Sequence, residues 1–138
     1  MIAFLESNAL IYYFEGAQGF RQAVVEVLQS IKANDAQAQV AVSRLGVMEC
    51  RVKPLREGNR VLLAQYDNFF NQIQIVELSA AIVTHATDIR VTTHLKTPDA
   101  LQAACALSLG AACSFVTGDE GFARVKGLHV LQVQAVKR

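Results

Sequence analysis

The chain has no tryptophan, two prolines, three cysteines and three histidines in 138 residues. Each scarcity excludes something. Cys50, Cys105 and Cys113 form no CxxC pair, which argues against a zinc ribbon, a dithiol redox centre or a disulfide framework. Cys105 and Cys113 sit among Ala, Leu and Val and read as small core hydrophobes. His85, His94 and His129 lack HExxH or any other metal-ligand spacing, and His85 and His94 read as helix-surface residues. There is no GxSxG elbow, no GxxxxGK[ST] loop and no GxGxxG fingerprint, which disfavours those hydrolases and nucleotide binders. No window approaches the ~18 uninterrupted apolar residues of a membrane helix. The opening MIAFLESNALIYYF carries no basic leader, and Glu6 interrupts its apolar run. A cytoplasmic protein without membrane association is therefore expected. Charge of one sign is also missing: 13 basic against 12 acidic residues give a net charge of +1.

What is present is enough apolar residue for a core. Hydrophobic residues make up 52% and charged residues 18%, the balance of a folded globular chain rather than a disordered one. The length fits one domain over residues 1–138. No linker, low-complexity tract or internal repeat interrupts it.

Short apolar runs alternate with segments of helical period, the pattern of a parallel α/β sheet. Strands are predicted at 2–5, 39–42, within 73–78, at 114–117 and at 129–133. Ser7 and Asn8 offer helix caps for Ala9–Phe14, and Ser43 caps a helix opening at Arg44. Phe20, Val24, Val27, Leu28 and Ile31 form one helical stripe, and Leu62, Tyr66, Phe69 and Ile73 another. Ser79 caps a helix whose apolar face is Ile82, Val83, Ala86 and Ile89. Thr97-Pro98-Asp99 reads as cap, first helical residue and first-turn acid, with the helix ending at Gly110. Tyr12, Tyr13 and Phe14 read as packing residues rather than platforms for bases.

Five basic residues, Arg44, Arg51, Lys53, Arg56 and Arg60, fall within seventeen positions that hold two acids, Glu49 and Glu57. Such a patch can engage phosphates although the net charge is near zero. A solvated helix face accounts for the same pattern.

Four of the acids stand apart. Glu6 follows the first strand, Glu49 lies on the helix after the second, Asp99 opens a helix, and Asp119 follows the fourth strand. In an open parallel sheet, ligands bind beyond the carboxyl ends of the strands. Four carboxylates brought together there would repel unless cations neutralised them. An all-oxygen site of that kind suits Mg²⁺ or Mn²⁺, and two such ions can activate water against a phosphodiester. Taken singly, each acid has a plainer role. Asp99 complements a helix dipole, Asp119 serves a turn in Thr-Gly-Asp-Glu-Gly, and Glu49 pairs with Lys53 one helical turn on.

Four segments then resemble one family. Phe4-Leu5-Glu6-Ser7-Asn8 with Ile11-Tyr12, Ser43-Arg44-Leu45 through Met48-Glu49, Thr97 through Ala104, and Phe115-Val116-Thr117-Gly118-Asp119 are similar, in order and spacing, to PIN-domain ribonucleases. The resemblance is greatest to VapC-type toxins of bacterial type II toxin–antitoxin pairs. It extends over nearly the whole chain, with Gly127-Leu128 before a last short strand also fitting. It implies a three-layer α/β/α sandwich around a mainly parallel sheet of about five strands. It implies a Mg- or Mn-dependent endoribonuclease with Glu6, Glu49, Asp99 and Asp119 as its catalytic acids. Glu6, Asp99 and Asp119 would hold the metal, with Asn8 and Thr117 orienting them. Arg44, Arg51, Lys53 and Arg56 would face RNA. The expected partners are an RNA substrate, a cognate antitoxin, a second copy of the chain in a homodimer, and operator DNA reached only through the antitoxin.

Two departures from the family pattern stand out. Glu6 occupies a position where the family carries aspartate, and Gly121 lies where relatives often carry a further acid. The extra methylene of Glu6 moves its carboxylate by about one C–C bond, and Mg²⁺ tolerates little geometric change. Two readings of other classes follow. One is a catalytically silent module of the same fold that binds an antitoxin. The other is a receiver-type phosphoacceptor domain, which needs a lysine after a late strand, whereas Lys126 follows Asp119 in a glycine-rich loop region rather than at a strand end.

Overall fold

A computed structural model describes residues 1–134. Five strands, β1 (Ile2–Leu5), β2 (Gln39–Ser43), β3 (Gln74–Val76), β4 (Cys113–Thr117) and β5 (His129–Gln132), form one sheet in the order β3-β2-β1-β4-β5. Every neighbouring pair is parallel, with Leu5 opposite Val116 and Phe4 opposite Ala41. The helices are α1 (Ser7–Glu15), α2 (Gln18–Asn34), α3 (Arg44–Glu57), α4 (Arg60–Phe70), α5 (Ala80–Thr93) and α6 (Thr97–Leu107). A 3₁₀ turn spans Glu120–Arg124.

Alternation along the strands sends side chains to two separate cores. Phe4, Ala41 and Phe115 pack with Ala86 and Ile89 of α5 and Ala100, Ala103 and Ala104 of α6. Ala3, Leu5, Val42 and Val116 pack on the other face with residues of α1 to α4, including Leu10, Val24, Cys50 and Tyr66. Burial on both faces explains why the strands read as continuous apolar runs. This is the three-layer α/β/α sandwich expected. Among the described residues no helix is long and apolar enough to cross a membrane.

The helix starts differ from expectation in one important place. The residue capping α1 is Glu6, not Ser7 or Asn8: its carboxylate accepts the Asn8 N–H at 2.7 Å. At α6 the capping position is Lys96, which makes no side-chain cap bond, so Thr97 is already helical and Pro98 lies inside the first turn. Ser43 and Ser79 cap α3 and α5 as predicted. Ile73 belongs to neither its helix nor its strand, because α4 ends at Phe70 and β3 begins at Gln74. Val83 turns outward on α5, leaving Ile82, Ala86 and Ile89 as the buried face.

Candidate functional site

The order of the strands dictates where a site can form. From β1 the chain moves outward through β2 and β3 on one side, then returns to β4 and β5 on the other. The crevice beyond the carboxyl ends of β1 and β4 is the switch point of this sheet. Glu6 leaves β1 there, with its backbone N–H donating to the Val116 carbonyl at 3.0 Å. Thr117, Gly118 and Asp119 leave β4 on the opposite lip. α6 runs back toward the start of β4, so its first turn, with Asp99, stands over the same edge.

Glu6 is the most unusual of the four acids. It is 7% exposed, a poor environment for a carboxylate. Burial pushes its pKa up from near 4.5 to about 7. The Asn8 N–H pulls it down, while Asp99, Glu49 and Asp119 each push it further up. The last three effects place Glu6 within the electrostatic field of the other three acids. Perturbed carboxylates gathered in a crevice mark it as the candidate site.

The shift has a consequence for stability. A carboxyl with a raised folded pKa binds its proton more tightly in the folded chain than in the unfolded one. Its contribution to stability is complete below about pH 4.5 and is lost as the pH climbs through about 7. At most about 3 kcal/mol is involved. Glu6→Gln is expected to equal the wild type in urea stability at pH 4.5 and to exceed it at pH 8. A stability difference that does not change with pH would contradict the buried, repelled carboxyl.

Glu49 is held by a network of other side chains. Its Oε1 accepts from Ser7 Oγ at 2.7 Å and from Gln102 Nε2 at 3.0 Å. The pairing with Lys53 does not form, because Lys53 reaches Glu15 instead, at 3.3 Å. Glu15, the last residue of α1, also accepts the Tyr66 hydroxyl. Ser7 and Gln102 had no functional reading in the sequence. The one available signal was a glutamine in an otherwise apolar helical stretch, Ala100 to Leu107.

Asp99 is half-buried, and its pKa is raised by burial first, then by Asp119 and Glu49, with Lys96 opposing. An acid that merely complements a helix dipole would be stabilised in its charged form, so the electrostatics go against that plainer role. Asp119 is exposed and does have a turn function, accepting the Gly121 N–H at 2.8 Å. Asn8 bridges the two lips of the crevice: its Oδ1 accepts from Gly118 N at 3.0 Å and from Thr117 Oγ1 at 3.4 Å. Thr117 is fully buried and accepts the Asp119 N–H at 3.0 Å. Asn8 and Thr117 thus brace the loop that carries Asp119.

The donor set is made of carboxylate oxygens only, which is the chemistry of a hard divalent cation. Its spacing is open: among the described residues no three acidic, histidine or cysteine side chains form a ready ligand set. The oxygen chemistry fits Mg²⁺ or Mn²⁺, and the repulsion felt by Glu6 and Asp99 is what such an ion would relieve.

The basic residues are less free than their spacing implied. Arg44 forms a two-point pair with Glu77 at 2.6 and 2.9 Å, and Arg51 pairs with Asp67 at 2.9 Å. Arg56 makes no ion pair among the described residues. The Arg44 pair is exposed, and pairs of that kind are weak enough to be exchanged for a phosphate. Lys126 lies three residues before β5, at the edge of the sheet opposite the acids, so the phosphoacceptor reading loses its lysine.

The family model described as PIN domain matches residues 3–128. A comparison with curated proteins finds no match. Among solved structures the chain is similar to VapBC2 from Rickettsia felis bound to a DNA fragment from their promoter, with 18% identity and a TM-score of 0.73 over 97% of this chain and 100% of that one. It is also similar to a toxin–antitoxin complex from Klebsiella pneumoniae, with 21% identity and a TM-score of 0.76 over 97% of this chain and 99% of that one. VapBC-1 from nontypeable Haemophilus influenzae is a third, with 16% identity and a TM-score of 0.69 over 96% and 98%. At these identities the likeness to solved structures is one of fold. The family model spans most of the chain on its own, and the chain belongs to the PIN-domain family.

Proposed function

We propose that this protein is a divalent-metal-dependent endoribonuclease, the VapC-type toxin of a type II toxin–antitoxin pair. The observation that carries the reading is the buried Glu6 carboxylate at the end of β1, facing Asp99, Glu49 and Asp119. Glu6, Asp99 and Asp119 would hold Mg²⁺ or Mn²⁺. The cation, when bound, offsets the charge of the scissile phosphate and acidifies water. Glu49 is oriented through its Oε1, while its Oε2 has no protein hydrogen bond among the described residues and is available to a water molecule. The water oxygen bonds to phosphorus as the P–O3′ bond breaks, and the proton passes by way of a carboxylate to the leaving oxygen. The products end in a 3′-hydroxyl and a 5′-phosphate. Arg56, with Arg44, Arg51 and Lys53 exchanging their carboxylate partners, would hold flanking phosphates.

A protein partner is part of the proposal. α3 carries Glu49 and also leaves Met48, Val52 and Leu55 exposed, at 58%, 41% and 56%. An apolar strip of this kind marks an interaction surface. An antitoxin seated on α3 would lie beside the acids, and it would connect the toxin to operator DNA. The toxin itself would be a homodimer.

The test is the chemistry of the cut ends. Antitoxin-free protein incubated with total RNA and Mg²⁺ should leave fragments with 5′-phosphate ends that ligate without kinase treatment. Fragments ending in 2′,3′-cyclic phosphate would mean that the 2′-hydroxyl attacked, and the hydrolytic reading would fall.

One observation favours a second reading, the silent antitoxin-binding module. Glu6 already spends an oxygen capping α1, and no three ligands stand ready among the described residues. Tight antitoxin binding without any Mn²⁺ uptake would support that reading instead.

A further inference from the structure

We infer that Gln102 is a positioning residue for Glu49, fixing the carboxylate that faces water in the proposed nuclease; the inference rests on that nuclease reading. Gln102 sits in the middle of α6 and is 1% exposed. Its neighbours on the helix are Ala100, Ala103, Ala104 and Ala106, all buried. A primary amide in such a place is costly unless its hydrogen-bonding groups are matched.

Here they are matched. Gln102 Oε1 accepts from Ser43 Oγ at 2.8 Å. Its Nε2 donates to Ser7 Oγ at 2.8 Å and to Glu49 Oε1 at 3.0 Å, which uses both amide hydrogens. Ser7 Oγ donates in turn to Glu49 Oε1 at 2.7 Å, and Ser43 Oγ accepts the Gly46 N–H at 2.9 Å. An ionised carboxylate can only accept, so Glu49 dictates which way the amide faces. The polar chain ties the end of β2, the start of α1 and the middle of α6 to one oxygen on α3. No buried side-chain polar atom among the described residues is left unpaired.

The purpose of this arrangement is visible in what it leaves. One oxygen of Glu49 is locked on two donors, and the other has no protein partner among the described residues. Asp99 lies one turn before Gln102 on α6, so the same helix supplies an acid to the cluster and the amide that orients another. A leucine or methionine at 102 would suit the alanine-rich surroundings if packing were the only requirement. Outer partners of this kind typically change metal affinity or activity by ten- to a hundredfold when removed.

The experiment is calorimetric titration of Mn²⁺ into wild-type protein, Gln102→Met and Cys105→Ser, with steady-state RNA cleavage in parallel. Cys105→Ser disturbs the apolar core beside α6 without touching Glu49. Gln102→Met should lose kcat about ten- to a hundredfold with KM for RNA nearly unchanged, and should bind Mn²⁺ within about twofold of the wild type because Glu49 is not among the proposed ligands. Cys105→Ser should lower thermal stability and leave kcat, KM and Mn²⁺ affinity as in the wild type. If Gln102→Met fails to fold, Ser7→Ala, which removes one of the two donors to Glu49, should still lower kcat about tenfold with KM nearly unchanged. Unchanged kcat in the folded variant, or a loss of Mn²⁺ affinity that accounts for the whole effect, would overturn the role of Gln102 alone. A wild type that takes up no Mn²⁺ would overturn the nuclease reading and this inference with it.

Discussion

Asp99→Asn is expected to reduce Mg²⁺-dependent RNA cleavage by about a hundredfold or more, while the folded protein becomes no less stable. The two halves of this expectation have the same cause. Asp99 is held in its charged form against burial and against Asp119 and Glu49. Asparagine has the same shape and removes the repulsion, so the fold gains or stays level. Loss of a partner outside the ligand set costs ten- to a hundredfold, and loss of a ligand charge should cost at least the upper figure. Initial cleavage rates and thermal unfolding of the two proteins are the measurements. Undiminished cleavage by Asp99→Asn would remove Asp99 from the catalytic set.

Glu6→Asp is expected to raise the cleavage rate, by as much as about a hundredfold. Displacement of a catalytic group by ~1 Å can cost that much, and the extra methylene of Glu6 is a displacement of that order. The fold should accept the change. Glu6 caps α1 through the Asn8 N–H, and aspartate is the better capping residue because its shorter side chain reaches the second and third amides of a helix without bending back. A cleavage rate that fell in Glu6→Asp, with unfolding unchanged, would mean that the crevice is shaped for glutamate.

Most of the frame was legible from local pattern. Ser43 and Ser79 are found where caps were predicted, and β1, β2, β4 and β5 agree with their apolar runs to within a residue or so. Local reading went astray where a side chain does two things at once. Ser7 looked like a cap because serine usually is one, but its hydroxyl is committed to Glu49, 42 residues away, and Glu6 does the capping. Three of the acids were legible by position, since Glu6 and Asp119 follow strands and Asp99 opens a helix, while Glu49 lies inside α3. What holds them was not. The bond from Gln102 to Ser7 spans 95 residues, and no periodicity encodes a contact of that range. The basic run shows the same limit: spacing on one helix reveals nothing of Glu77 and Asp67, which come from elsewhere in the chain and pair with Arg44 and Arg51.

The electrostatics of the crevice and its proposed chemistry are linked. A fold that keeps Glu6 buried against three other acids is expected to be less stable at neutral pH than one with glutamine there, the kind of strain found where a site serves a reaction. Any cation that binds the folded chain and not the unfolded one returns that stability in proportion to its concentration over its dissociation constant.

The most direct test of the acid cluster as a working centre is cleavage of total RNA by antitoxin-free protein, wild type beside Glu6→Asp, each in Mg²⁺, Mn²⁺ and EDTA. The proposed function predicts cutting by both proteins with either metal, faster for Glu6→Asp, and none in EDTA. Intact RNA with both proteins in both metals, or cutting that persists in EDTA, would contradict it.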